Sequence, residues 1–188
     1  GLLENIPTLG NAVMDMYAKC GEFTKAEEVL KELVIQDTIS WNSLMAGYAD
    51  QGRCHEAMHC FEEMQNCGIS PDAITFICIA KVCGSLGSLE TGKQIHNEIV
   101  CRGLLDNHIL IGTTLVDMYA KCGELHKAQK LLEELHVRNV VSWNALISGY
   151  TQHGKGIEAF TCFEQMQSEG YCPDVVTFIC ILNACGKI

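Results

Sequence analysis

The seven residues MYAKCGE at positions 16–22 return unchanged at positions 118–124, a shift of 102 residues. Two other runs return at the same shift: SWN moves from 40–42 to 142–144, and TFICI from 75–79 to 177–181. A shift that stays fixed along the chain is typical of a stacked array of like units, not of one globule with one active site. We therefore expect the function to lie along a surface.

Each long period divides into shorter units of two amphipathic helices. In residues 7–37, apolar residues at helical spacing (Val13, Met16, Tyr17) precede a break at Gly21. A second apolar stripe follows, made of Ala26, Val29, Leu30 and Leu33. The same pattern predicts units at 38–72, 73–108, 109–139 and 140–174, with 1–6 ending a preceding repeat and 175–188 supplying the first helix of a sixth unit. Because one helix pair cannot bury its apolar face alone, neighbouring pairs must stack. The pattern predicts an all-α fold.

Composition and cysteine spacing argue against a membrane-spanning protein and against a disulfide framework. Hydrophobic residues make up 48% of the chain, yet no apolar run approaches the roughly 20 residues that a membrane span needs. The twelve cysteines include no Cys-x-x-Cys pair, and most recur at the 102-residue shift, which favours free core cysteines in a reducing compartment. Trp41 and Trp143 occupy corresponding helix-start positions, so we expect them in the core and not on a stacking platform.

The run TISWNSL at 38–44, in a 35-residue unit that closes with GISPD at 68–72, resembles the pentatricopeptide repeat family. A competing tetratricopeptide array would have a uniform period of about 34. Units of 31, 35 and 36 residues resemble the plant PLS subclass, which mixes three repeat lengths. By that resemblance 7–37 and 109–139 are S-type, 38–72 and 140–174 P-type, 73–108 L-type and 175–188 partial L-type repeats. The resemblance implies a right-handed α-solenoid superhelix of helix-turn-helix repeats.

Polar residues line one face of the first helices. Residues four apart share a helix face, so Asn11, Asp15 and Lys19 form a stripe that Thr113, Asp117 and Lys121 repeat. An Asn side chain has a donor and an acceptor that can read the edge of a base, and RNA bases are open to such reading only when single-stranded. The alternative is that these Asn residues cap or bridge neighbouring helices.

The family resemblance implies which residues would recognise RNA. The fifth and last residues of each unit would read a base, and these pairs are Asn11/Asp37, Asn42/Asp72, Thr113/Asn139 and Asn144/Asp174. By the family's code Asn with Asp reads uridine and Thr with Asn reads adenine, while Ile77/His108 matches no pair, which gives the target 5′-UUNAU-3′. The second residue of a unit would wedge the base, and these residues are Thr8, Ile39, Leu110 and Val141. Lys19 and Lys121 are candidate phosphate contacts.

These patterns predict a non-enzymatic single-stranded RNA-binding array with no cofactor and no bound metal. The resemblance implies a mitochondrial or chloroplast factor that specifies cytidine-to-uridine editing, with editing co-factor proteins as partners, no membrane, and self-association through exposed array ends. Against RNA binding stands the net charge of −10, although many acidic residues fall in second helices, which would lie away from the groove. The alternative function is a helical-repeat scaffold for protein–protein interaction.

Two motifs suggest zinc chemistry. His55-Glu56-Ala57-Met58-His59 matches the zincin pattern, but the copy at 156–161 lacks both histidines. His96-Asn97-Glu98 resembles the His-x-Glu of zinc deaminases, whose Pro-Cys-x-x-Cys partner is absent from the sequence. We expect both to be accidental, and a zinc enzyme would need bound metal in the purified protein.

Overall fold

A computed structural model describes residues 7–33, 35–105 and 108–186, without the side chains of Pro7 and Thr8. Every regular element in those ranges is an α-helix. The helices are α1 (Pro7–Lys19), α2 (Phe23–Glu32), α3 (Thr38–Asp50), α4 (Cys54–Asn66), α5 (Ala73–Leu86), α6 (Leu89–Cys101), α7 (Ile109–Lys121), α8 (Leu125–Glu134), α9 (Val140–Gln152), α10 (Gly156–Ser168) and α11 (Val175–Cys185). None of the helices described is long and apolar enough to cross a bilayer.

After α1, α3, α5, α7 and α9 the chain turns at a glycine in the left-handed conformation. After α3, Gly52 has a φ of +72°, which only glycine adopts without steric cost. Its N–H donates to the carbonyl of Ala49 (3.0 Å), and the N–H of Arg53 donates to the carbonyl of Tyr48 (2.8 Å). This pair of bonds is the Schellman motif, which satisfies the last carbonyls of a helix. The chain therefore reverses sharply, and α4 folds back on α3.

The chain divides into two compact units, Gly1–Val82 and Cys83–Ile188, and α5 spans the division. In the first unit α1 packs on α2 and α3, and α3 packs on α4. The second apolar stripe predicted for the first repeat is buried as expected, and so is Trp41. At one end of this core the rings of Phe23 and Tyr48 stack with centroids 4.1 Å apart, and the guanidinium of Arg53 lies 4.9 Å from each ring.

The second unit uses the same pairing of helices. Helix α9 packs on α7, α10 and α11, while α7 also packs on α8 and α6. Trp143 is buried in this core, as predicted from its copy of the Ser-Trp-Asn run. In both units consecutive first helices contact each other, so the polar side chains of adjacent repeats come close together.

Small residues let the first helices approach closely. A Cβ added to Gly47 of α3 would lie 2.7 Å from Ala18 Cβ of α1, which is too close for any real Cβ. At the 102-residue shift, a Cβ added to Gly149 of α9 would lie 2.5 Å from Ala120 Cβ of α7. The Gly–Ala contact therefore sets the spacing of first helices within each unit.

The predicted apolar face of α1 is wrong at one position. Met16 was expected in the core but is 49% exposed, and the buried side chains of this helix are Met14 and Ala18. Its counterpart Met118 is fully buried, because the sulfur fills the space beside Gly92 of α6. No described helix precedes α1 to cover Met16 in the same way.

Candidate functional site

The last residue of a repeat is the N-cap of the next first helix. Asp72 Oδ1 accepts from the backbone N–H of Thr75 (2.9 Å), and the N–H of Asp72 donates to Thr75 Oγ1 (3.1 Å). This reciprocal arrangement is a capping box, which satisfies N–H groups that the helix itself leaves free. The other capping boxes pair Asp37 with Ser40, Asn139 with Ser142, and Asp174 with Thr177. The capping residue is thus fixed in place by the helix that it starts.

The Asn of one repeat is hydrogen-bonded to the cap of the next. Asn42 Nδ2 donates to Asp72 Oδ1 (3.0 Å), and Thr75 Oγ1 lies 2.7 Å from Asn42 Oδ1. Asn42 is only 7% exposed, so its amide is held among these partners and its flanking helices. The structure therefore brings together the first predicted P-type pair and adds a third residue to it.

The same group of three recurs in the second unit. Asn144 Nδ2 donates to Asp174 Oδ1 (2.9 Å), and Thr177 Oγ1 lies 2.5 Å from Asn144 Oδ1. Asn144 is 6% exposed. Sequence reasoning missed Thr75 and Thr177, although Asp-x-x-Thr at a helix start is a capping-box signal that marks both.

The other two predicted pairs differ from these. Asn11 Nδ2 lies 3.4 Å from both carboxylate oxygens of Asp37, and Asn11 Oδ1 is buried without a partner among the described residues. Thr113 Oγ1 is likewise buried with no partner in the part of the chain described. In these repeats the residue three after the cap is Ser40 or Ser142, and neither hydroxyl bonds Asn11 or Thr113, the predicted reading residues of the preceding repeats.

Large apolar side chains stand exposed beside these polar groups. The predicted wedge residues Ile39, Leu110 and Val141 are 60–62% exposed, whereas the side chain of Thr8 lies outside the described residues. Ile74 and Val176, which were not among the predicted wedge residues, hold the same second position in their repeats and are 63% and 52% exposed. The second-position rule would have found them. Each Asn–Asp–Thr group is thus flanked, at that position, by an apolar residue from its own repeat and one from the next.

The two candidate phosphate contacts are paired with carboxylates. Lys19 Nζ lies 2.7 Å from Asp15 Oδ2, and Lys121 Nζ lies 2.7 Å from Asp117 Oδ2. The hydrogen bond from Lys19 to Asp15 raises the pKa of that lysine above its ordinary value. Each lysine thus forms an ion pair with an acid one turn earlier.

Hydrogen bonds favour the ionised form of the capping aspartates. Partial burial opposes ionisation of Asp72, but the bonds from Thr75 and Asn42 outweigh it and lower the pKa of the carboxyl below 3.8. The pKa of Asp174 is also lowered, first by the hydrogen bond from the backbone N–H of Thr177 and then by the one from the Asn144 side chain. Both aspartates are therefore acceptors only, which fixes each neighbouring Asn with its NH₂ group toward the carboxylate.

Neither zinc motif is joined by further ligands. His55 and His59 both lie exposed on α4. Among the residues described, no cluster of three or more His, Cys, Asp or Glu is arranged to hold a metal ion.

The structure is that of a helical-repeat protein. Glycine turns join its helix pairs, and consecutive first helices stack within each unit. The last residue of one repeat is the N-cap of the next first helix. The sequence matches the PPR repeat family over residues 36–85 and 138–187 and the PPR repeat over 11–36 and 113–140. The chain belongs to the pentatricopeptide repeat family.

Relatives of similar sequence come from Arabidopsis thaliana. A putative pentatricopeptide repeat-containing protein is 39% identical over 180 residues, which cover 96% of this chain and 25% of that protein. The chloroplastic protein CRR2 is 39% identical over 93% of this chain and 27% of its own length. A third, mitochondrial relative is 37% identical over 96% of this chain and 22% of its own length. The chain thus spans about a quarter of the length of these curated relatives.

Solved structures show the same all-α solenoid fold. The pentatricopeptide repeat protein PPR10 in complex with an 18-nt psaJ RNA element superposes with a TM-score of 0.77 at 21% identity, covering 93% of this chain and 27% of that one. Nuclear protein-only RNase P 2 of Arabidopsis thaliana superposes with a TM-score of 0.67 at 15% identity, covering 94% of this chain and 41% of that one.

Proposed function

We propose that the chain binds single-stranded RNA sequence-specifically, one base to a repeat, without catalysing a reaction, and that its target is 5′-UUNAU-3′. The observation that carries this proposal is the Asn–Asp–Thr group found at Asn42 and again at Asn144, each with exposed apolar residues at the second positions beside it. PPR10, which has the same fold, was solved with RNA bound.

The hydrogen-bond capacity of the Asn amide supports uridine at the second and fifth bases. An amide has two N–H donors and two acceptor lone pairs. Asp72 takes one donor of Asn42 and Thr75 fills one lone pair, so one donor and one acceptor remain. Uracil presents a carbonyl beside an N–H on its Watson–Crick edge, and this edge complements the remaining pair. Thr113, whose hydroxyl has no partner in the described chain, is the proposed reader of adenine.

Stacking must supply most of the affinity. Base stacking contributes about 1–3 kcal/mol per base on aromatic side chains, and aliphatic residues such as Ile39 and Ile74 should contribute less. Lys19 and Lys121 are the proposed phosphate contacts, although each also pairs with an aspartate. Binding by so few repeats should therefore be weak.

We further propose that the chain belongs to the PLS subclass and forms part of an organellar factor for cytidine-to-uridine editing. Support comes from the three unit lengths of 31, 35 and 36 residues and from chloroplastic and mitochondrial relatives. Editing co-factor proteins, and self-association through array ends, are proposed partners on the same basis.

Fluorescence anisotropy at low salt tests the reading pairs. The probe is 5′-UUAAU-3′ within a short unstructured RNA, compared with the same RNA carrying G at both outer uridines and with its DNA version. We expect the unmodified chain to prefer the first RNA and Asn144→Thr to lose that preference. An RNA with G at the last base should restore binding to this variant, because Thr with Asp should read guanine by the family's code. Asn66→Thr, on the exposed end of α4, is the control and should change nothing.

A protein-binding scaffold is the second candidate, favoured by the net charge of −10. Equal or absent binding of all three probes by a helical, folded chain would contradict RNA reading. Association with a protein partner that survives replacement of both Asn42 and Asn144 would support the scaffold instead.

A further inference from the structure

We infer that Thr75 and Thr177 are positioning residues, whose hydroxyls fix the orientation of the preceding repeat's Asn amide and thereby set the discrimination of uridine from cytidine. The inference rests on the proposed function. It adds to each reading pair a residue that belongs to the next repeat.

The hydroxyl proton of Thr75 decides which oxygen receives its hydrogen bond. Thr75 Oγ1 has two acceptors in range, Asn42 Oδ1 at 2.7 Å and Asp72 Oδ1 at 2.9 Å. Asp72 Oδ1 already accepts from the N–H of Thr75 and from Asn42 Nδ2, whereas Asn42 Oδ1 has no other donor among the described residues. A buried acceptor without a donor is costly, so the proton goes to Asn42. The same argument assigns the hydroxyl proton of Thr177 to Asn144, where the contact is 2.5 Å.

The orientation of the Asn42 amide follows from its two partners. Asp72 attracts the NH₂ group of Asn42 and Thr75 donates to its oxygen, so a half-turn of the amide would lose both bonds. Uracil offers an N–H donor at its N3 position with carbonyl acceptors on either side, whereas cytosine offers an acceptor at N3 beside an amino donor. An amide that cannot turn over accepts only one of these patterns. An amide free to turn over accommodates both.

The chain contains a natural comparison. Asn11 has the same type of cap, Asp37, but its third residue is Ser40, and Asn11 Oδ1 has no partner in the described structure. We therefore expect the first base of the target to tolerate cytidine more than the second and fifth bases do.

The experiment measures the affinity ratio of uridine to cytidine at single positions. The probes are 5′-UUAAU-3′ and the single-base changes 5′-CUAAU-3′, 5′-UCAAU-3′, 5′-UUAGU-3′ and 5′-UUAAC-3′ in the same unstructured RNA. Thr75→Val should lower the ratio at the second base about fivefold, the effect expected of one neutral hydrogen bond, and leave the fifth base unchanged. Thr177→Val should lower the ratio at the fifth base and leave the second base unchanged, so each variant is the control for the other.

Two further variants separate positioning from helix capping. Ser142→Ala breaks a capping box whose hydroxyl does not bond Thr113, so it should lower stability without changing the preference at the fourth base. Ser40→Thr should raise the uridine preference at the first base. If Thr75→Val weakens binding of all RNAs equally, the hydroxyl only caps α5 and the inference is wrong.

NMR of the Asn side chains tests the bond from Thr75 to Asn42 without RNA. The ¹³C resonance of an amide carbonyl shifts when its oxygen loses a hydrogen bond. We expect the Asn42 side-chain carbonyl to shift in Thr75→Val, and the Asn144 carbonyl to stay in place. Absence of a shift would refute the bond, whereas absence of any uridine preference in the unmodified chain would refute the RNA reading alone.

Discussion

Each capping aspartate performs two tasks with one oxygen. Asp72 Oδ1 accepts the N–H of Thr75, which starts α5, and also accepts from Asn42 of the preceding repeat. Asp174 does the same for α11 and Asn144. Loss of the carboxylate therefore affects a helix start and a neighbouring side chain together, which links the proposed reading group to the stability of the fold.

This link predicts a pH dependence of stability. Because the pKa values of Asp37, Asp72 and Asp174 are lowered on folding, their contribution is complete above the ordinary value of 3.8 and is lost as the pH falls through the folded values. Thermal unfolding between pH 5 and 2.5, a range set by that linkage, should show a falling melting temperature. Asp72→Asn should flatten the curve, since Asn139 caps α9 without titrating.

The matched control removes an exposed carboxylate that accepts no hydrogen bond in the described structure. Glu62→Gln on α4 meets this condition and should leave the slope of melting temperature against pH unchanged. An equal flattening in both variants would mean that general charge repulsion, and not the cap, governs acid unfolding.

The sequence predicted the Asn/Asp pairs but not their third member. Asn42 and Thr75 are 33 residues apart, and only the stacking of α3 against the start of α5 brings them into contact. Pattern reasoning treats a helix-start Thr as a partner of its own cap. A local pattern gives no sign of a hydroxyl that donates across a repeat boundary, because this contact depends on the tertiary structure.

Close packing of first helices depends on glycine in mid-helix positions. Gly47 costs α3 about 0.5–1 kcal/mol in helix propensity relative to Ala. The cost is offset by contact with Ala18, since a Cβ at position 47 would overlap the Ala18 methyl. For Gly47→Ala, helix propensity therefore predicts a gain in stability, whereas packing predicts a loss.

At position 47 the cost of overpacking should exceed the gain in helix propensity. We expect Gly47→Ala to lower the free energy of unfolding by about 1–3 kcal/mol, the usual cost of overpacking a tight contact. Ala46→Gly, at an exposed neighbouring position, measures helix propensity alone and should cost about 0.5–1 kcal/mol. Urea denaturation of both variants checks the result, and stabilisation by Gly47→Ala would show that α1 and α3 do not approach as described.

Helix pairs and their turns were predictable, whereas the exposure of identical segments was not. The run at 16–22 recurs at 118–124, yet Met16 is half exposed and Met118 is buried. Gly21 and Gly123, by contrast, take the same left-handed turn, because that conformation depends on the local chain. Local conformation follows from the sequence, but burial follows from which neighbour a helix meets.

Acidic side chains dominate the charge of the whole molecule. The second helices carry an exposed set made of Glu28, Glu32, Glu62, Glu63, Glu133, Glu134 and Glu164. The net charge is −10, and the lysines proposed to meet phosphate are each paired with Asp15 or Asp117. Long-range attraction of a polyanion should therefore be small.

This charge distribution predicts a weak salt dependence. Two phosphate contacts give a slope of log affinity against log salt of about −1 to −2 by the rule for single strands. Replacing Lys19 and Lys121 together by Ala should bring the slope close to zero. The control pair, Lys31→Ala and Lys130→Ala on second helices, should leave it unchanged, and a steep slope in the unmodified chain would contradict the contacts proposed.

The capping contact also decides where such arrays can be cut and rejoined. Asn42, Asp72 and Thr75 form one hydrogen-bonded group, the proposed recognition group, but the predicted repeat boundary after residue 72 separates Thr75 from the other two. A graft of residues 38–72 would inherit a foreign residue at the third place after its cap, whereas a graft that runs from 42 to 75 carries the whole group. The segment to transfer is therefore shifted by a few residues from the repeat, and its C-terminal junction is best placed inside the first turn of the following helix.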